Sequence, residues 1–188
     1  MLATIILVPL AALGFCIFLM YSTHSRLIAL DERCTTSFSD IDVLLKHRHS
    51  LIPGILQTVR NYVGHEREIF NSVLEMHQLA IRSTSMSSRL KAETVLSQNV
   101  TNLMNIAQRV PELKAEKHFV HLRNAFTDVE NRITASRRFY NNTVEEHNRT
   151  LRQFPGNIMG NMMRLSRREN FDLGVDRYFM DEPVSLAL

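Results

Sequence analysis

The sequence has 188 residues and a formal net charge of +3, with no Trp, six Gly and five Pro. That charge is too slight, and the basic residues too scattered, for a nucleic-acid partner, while the shortage of Gly and Pro favours helices over a sheet. The two cysteines, Cys16 and Cys34, would lie about 27 Å apart on one continuous helix, which excludes a disulfide between them.

Residues 1–23, MLATIILVPLAALGFCIFLMYST, contain no charged side chain. As a helix, Leu2–Tyr21 spans roughly 30 Å, the thickness of a bilayer core. A cleaved signal peptide would carry a basic start, a shorter apolar run and small residues at the cut. None of these is present, so the segment is expected to be an uncleaved transmembrane anchor. Pro9 is expected to kink or tighten it locally. Arg26, Arg33, Lys46 and Arg48 follow the anchor and no basic side chain precedes it. The positive-inside rule then puts a short N-terminus outside and residues 24–188 in the cytoplasm of a bacterium, at its inner membrane.

Beyond the anchor, Leu27, Leu30, Cys34, Phe38, Ile41 and Leu45 are spaced by three and four residues, one stripe of an amphipathic helix. No turn signal separates this helix from the anchor. Pro53-Gly54 suggests a kink or a collinear restart. The stripe then resumes through Ile55, Val59, Val63, Phe70, Val73 and Ala80. A serine-rich loop at 82–88 predicts a reversal, and Val110-Pro111 ends the next arm. The third arm carries Phe119, Leu122, Phe126, Val129, Ile133, Ser136, Tyr140, Val144, His147, Leu151 and Phe154, a heptad-like seam. Pro155-Gly156 breaks it. The expected helices cover about 24–82, 88–109 and 112–154. The fold class is all-α: a transmembrane helix (1–23) that continues into an elongated antiparallel bundle of three to four helices (24–155). After it, 156–188 form a short amphipathic helix, with Ile158, Met162 and Leu165 on one face, and a mobile tail.

The chemistry-bearing residues form no recognisable catalytic set. His47 and His49 point to different helix faces, while His118 and His121 share one. A metal needs more ligands than that pair supplies, and no Glu has His three residues later, as a di-iron bundle site requires. A phosphorelay role for His118 or His121 lacks the expected surroundings. No phosphate loop or nucleophile elbow occurs, and neither cysteine has a nucleophile's context. No catalytic, cofactor or metal residue is therefore assigned, and no cofactor is expected. The cluster Lys46-His47-Arg48-His49 reads as a solvated basic face. Arg164, Arg167 and Arg168 can touch lipid headgroups with Met159, Met162 and Met163 beneath them, but the leading expectation is that those methionines pack on the end of the bundle.

Several blocks together resemble the LemA family of bacterial membrane-anchored proteins. They are Ser39-Asp40-Ile41-Asp42-Val43-Leu44-Leu45-Lys46 with Leu51-Ile52-Pro53; Tyr62, His65 and Glu66; Val110-Pro111-Glu112-Leu113-Lys114-Ala115; Glu130-Asn131-Arg132-Ile133 with Arg138, Tyr140 and Asn141; and Phe154-Pro155. The resemblance covers about residues 1–165. Phe38 stands where Trp is usual, Gly54 where Asn is, and Asn61 where Gly is. The resemblance implies one N-terminal transmembrane helix, an extracytoplasmic N-terminus and an antiparallel bundle, with no established activity. One branch of the family serves the membrane compartments of magnetotactic bacteria, which implies membrane organisation by analogy.

Among the matched residues, Asp40, Asp42 and Lys46 are expected to fix helix register against a facing helix around Arg137, Arg138, Tyr140 and Asn141. The leading functional expectation is a non-enzymatic membrane scaffold that self-assembles. Its partners would be membrane lipid, further copies of the chain or another membrane protein, with no nucleic acid. The alternative is an accessory subunit regulating a membrane enzyme or protease. A His-based phosphorelay or metal module is third.

Overall fold

The computed structural model describes residues 2–62, 67–84 and 86–171. Every regular element among them is a helix: α1 (Leu2–Val59), α2 (Arg67–Arg82), α3 (Met86–Ala107), α4 (Pro111–Ala115), α5 (Lys117–Arg152) and α6 (Gly156–Met162). The protein is an all-α bundle. Two compact units divide it, one of residues 1–41 with 135–171, the other containing 42–134.

In the first unit, α1 and the C-terminal part of α5 run antiparallel. Arg26 meets Glu146 at 2.9 Å, and the Phe38 and Tyr140 rings lie 5.7 Å apart. The stripe read from the sequence is the buried one: Leu27, Leu30, Cys34 and Ile41 from α1, with Tyr140, Val144 and His147 from α5. Beyond α5 the chain turns at Gln153–Pro155 into α6, which folds back on the last turn of α5. Phe154, expected as the last residue of the α5 seam, is instead exposed on this turn because the helix ends before it, and the face of Ile158, Met162 and Leu165 is not the one that packs on α5. Ile158 and Met162 are exposed, and Gly156, Met159 and Gly160 are buried instead. The two glycines face α5 closely. A methyl at Gly156 would run into the carbonyl oxygen of Thr150, and one at Gly160 into a methyl of Leu151. Gly156→Ala is therefore expected to cost about 1–3 kcal/mol, since a backbone atom must move. Gly160→Ala should cost less, because the Leu151 side chain can turn aside. Urea unfolding of the full chain in mild detergent would show it, and an unchanged Gly156→Ala midpoint would refute this packing.

In the second unit, Asp42 meets Arg89 and Arg48 meets Glu93, so α1 and α3 run the same way. Asn99 meets Ser72 and Ser83 meets Ser88, so α2 runs against α3. The core holds Ile52, Ile55 and Val59 of α1, Val73 of α2, Leu96, Val100 and Leu103 of α3, and Phe119 and Phe126 of α5. Leu113 plugs α4 into the same core. Pro111 opens α4 at its first turn, with Glu112 there to complement the helix dipole.

Helix boundaries differ from expectation at two places. The helix expected over 24–82 is two helices. α1 continues through Pro53 but ends at Val59, where Arg60 N donates to Leu56 O and Tyr62 N to Val59 O in a closing turn. Asn61 is a turn-forming residue there. Val63, His65 and Glu66, read as stripe and family block, lie outside the described residues. The helix expected over 112–154 is interrupted at Glu116, which is extended, so α4 and α5 are separate. The tail expected to be mobile is ordered as far as Phe171; residues 172–188 lie outside the described residues.

Candidate functional site

The second unit places an arginine in its own core. Arg48 follows Leu45 and precedes Ile52 at the three-four spacing of the α1 stripe, so its side chain points inward. It is 3% exposed. Its guanidinium contacts the Glu93 carboxylate through Nη2 and Glu130 through Nη1 at 2.6 Å, and Nη2 also donates to the Glu93 carbonyl oxygen at 3.2 Å. His49 Nε2 lies 2.9 Å from the other Glu93 oxygen, Oε1. The His49 ring lies against His77 of α2, with centroids 5.1 Å apart. Arg89 completes the set, 2.9 Å from Asp42 and 3.8 Å from Glu93. Lys46 reaches Asp42 at 2.7 Å, the i,i+4 pair.

Three groups here have shifted protonation, among them Asp42, held below its ordinary 3.8 by its hydrogen bond with Lys46 and by Arg89 against the opposing effect of burial. Burial pushes the Glu93 pKa up, but the hydrogen bond with His49 and the charge of Arg48 outweigh it and hold the carboxyl below its ordinary value of 4.5. Burial pushes the His77 imidazole below its ordinary 6.5, and the neighbouring His49 adds to this while Glu93 opposes it. Each folded-state pKa is depressed. Each contribution to stability is therefore complete above the ordinary pKa and lost as pH falls from there through the folded-state value. The second unit should weaken in two stages on acidification, first below about 6.5 and then below about 4.5. Urea midpoints measured across pH should show both stages, and His77→Gln should remove the upper one.

The first unit carries a different polar assembly. Arg168 Nε bonds Asp31 at 2.8 Å, and its Nη2 donates to Thr35 Oγ1 at 3.0 Å. His147, fully buried, has Nε2 3.5 Å from Asp31 Oδ1 but makes no hydrogen bond to it. Two asparagines of α5 then grip the backbone of the extended segment after α6. Asn148 accepts from Arg168 N at 3.0 Å and donates to Arg168 O at 2.8 Å. Asn141 accepts from Phe171 N at 2.7 Å and donates to Phe171 O at 3.4 Å. Seven residues of helix rise about 10.5 Å, close to three residues of extended chain, so both grips engage at once. Tyr140 donates to Glu169 O at 3.1 Å, and its ring packs with Phe38 and Phe171. Asn148→Ala removes two hydrogen bonds and should lower the local stability of 165–171 by about 1–3 kcal/mol. Faster amide exchange confined to that segment would confirm it.

Several expected residues thus have other partners. Asp42 and Lys46 do pair, but the facing partner of Asp42 is Arg89 of α3 rather than α5. Tyr140 and Asn141 hold the segment 169–171. Asp40, Arg138, Arg164 and Arg167 are exposed, whereas Arg168 is engaged with Asp31. The basic cluster 46–49 is not a solvated face throughout, because Arg48 is buried and His49 bonds Glu93. His118 and His121 occupy exposed positions on α5. Among the described residues, no group of three or more His, Cys, Asp or Glu is placed to hold a metal. Cys34 is buried and Cys16 lies exposed in the apolar stretch. Both networks are arranged to neutralise charge within the packing of the helices.

The residues engaged in these contacts, from Asp42, Arg48 and Glu93 to Tyr140, Asn141 and Arg168, fall inside a match to the family model described as LemA family, which spans residues 37–183. The chain belongs to the LemA family. The match begins within α1 and runs past Arg168, further than the resemblance drawn over 1–165. Among curated proteins, none matches the chain. The apolar stretch of α1 precedes the LemA match, and α1 is the one described helix long and apolar enough to cross a membrane.

Proposed function

We propose that this LemA-family chain is a non-enzymatic, single-pass membrane protein whose helical bundle serves as a scaffold, organising the membrane through assembly of many copies. One observation carries the reading. Residues 10–18 of α1 are all exposed, and Leu10, Leu13, Phe15, Ile17 and Phe18 are each 59–67% exposed around the whole circumference of the helix. A helix apolar on every side needs an apolar surround, and nothing in the described protein provides it. The buried networks support a structural role, since their charges are spent on one another. The basic side chains that follow the stretch support a cytoplasmic bundle at a bacterial inner membrane.

The test is the mass of the full-length protein in mild detergent, with bound detergent subtracted, beside images of the particles. A large, defined assembly supports the scaffold. A monomer overturns it and leaves the accessory-subunit reading. Labelling a Ser83→Cys variant from each side of the membrane tests orientation, and reaction from outside would overturn the cytoplasmic placement.

A further inference from the structure

We propose that the turn and short helix at 153–162 make a second membrane contact, seated at the headgroup–acyl boundary of the bilayer that α1 enters. The inference rests on α1 being a membrane span. Three observations within the first unit support it.

The first is depth. Along α1 and α5, Arg26 meets Glu146, Asp31 meets His147 and Phe38 meets Tyr140. Carrying this antiparallel register forward, Phe154 lies about 12 Å beyond Glu146 at the helical rise, level with roughly residues 18–24 of α1. That is where the apolar stretch ends. The turn at the end of α5 therefore sits at the level of the membrane surface.

The second is apolar exposure. Phe154 is 75% exposed, Ile158 42% and Met162 71%, at intervals of four residues. Met159 and the two glycines face α5, so Ile158 and Met162 lie on the outer side of α6, and Phe154 is exposed on the turn just before it. Single exposed apolar residues are ordinary on a protein surface, but three within nine residues beside a membrane span make an apolar segment.

The third is charge. From His147 to Arg168 there are five arginines and no acidic residue. Arg152, Arg164 and Arg167 are exposed. An apolar segment whose only charged side chains are guanidinium groups, with neutral Gln153, Asn157 and Asn161 between them, fits a bilayer with anionic headgroups, the apolar side chains entering the acyl boundary and the arginines meeting phosphates. A second copy of the chain would have to bring matching acidic groups, and the same segment on that copy has none.

The chain has no Trp, so one introduced Trp reports alone. The full-length protein is placed in vesicles of phosphatidylcholine and phosphatidylglycerol, with and without bromine on the upper acyl carbons. Phe154→Trp should be quenched by the bromolipid to the same degree as Phe18→Trp in the span. Phe139→Trp, exposed on α5 roughly 20 Å further from the membrane by helical rise, should stay bright. Omitting phosphatidylglycerol should reduce quenching at position 154 and leave position 18 unchanged. A bright Phe154→Trp beside a quenched Phe18→Trp overturns this proposal and leaves the anchor standing. Blue-shifted but unquenched emission at 154 also overturns it, because protein rather than lipid then covers the patch. If both stay bright, the anchor falls and the proposal with it. Met162→Trp provides the same readout should the first variant fail to fold.

Discussion

Arg48→Met is expected to destabilise the second unit by about 3–5 kcal/mol, because it strands a buried carboxylate without its counter-charge. Glu93 is 3% exposed and loses its main partner, while Glu130 at 23% can turn toward water. Desolvation of the stranded charge, rather than the lost attraction, sets the size of the effect. The double variant Arg48→Met with Glu93→Leu should therefore be much nearer the parent than Arg48→Met alone. Urea unfolding of the full chain in mild detergent, followed by far-UV circular dichroism, would measure both. An Arg48→Met midpoint equal to the parent's would show that the network contributes nothing to stability.

Phe126→Ala should cost a similar amount, about 3–5 kcal/mol, by a different route. Its ring is fully buried in the core of the second unit, on the turn of α5 before Glu130. Truncation loses the transfer free energy of the ring and leaves a cavity between helices that relax only partly. The exposed Phe139 is the control. Phe139→Ala should stay within about 0.5 kcal/mol of the parent, as substitutions of exposed side chains do. The same urea assay reads both, and equal midpoints for the two variants would contradict the assignment of the core.

The long-range pattern of the fold was legible because hydrophobic spacing states which face of a helix is buried. Leu27 to Ile41 and Phe119 to Leu122 and Phe126 are buried as the stripe requires. Arg48 was hidden by its company. Beside Lys46, His47 and His49 it reads as surface charge, although its position between Leu45 and Ile52 puts it in the seam. A basic residue at a core position is the available signal, and it asks for acids on facing helices. Glu93 follows the buried Ala92, and Glu130 follows Val129 in the same way. The α6 contact was missed for a different reason. Gly156 and Gly160, four residues apart, make the closest approach, and glycines contribute nothing to an apolar pattern. The extended segment 165–171 has no periodicity at all, because distant side chains of α5 hold it.

The paired asparagine grips also limit how the length of this chain can vary. Positions 141 and 148 are spaced by two helical turns, and positions 168 and 171 by three extended residues. One residue added between either pair breaks the match. In α5 it would swing one asparagine about 100° around the axis, and in the extended segment it would turn a backbone edge away. Between Asn141 and Phe171, insertions and deletions are thus confined to the stretch between Asn148 and Arg168, where α6 and its flanking turns can change length without loosening the clamp.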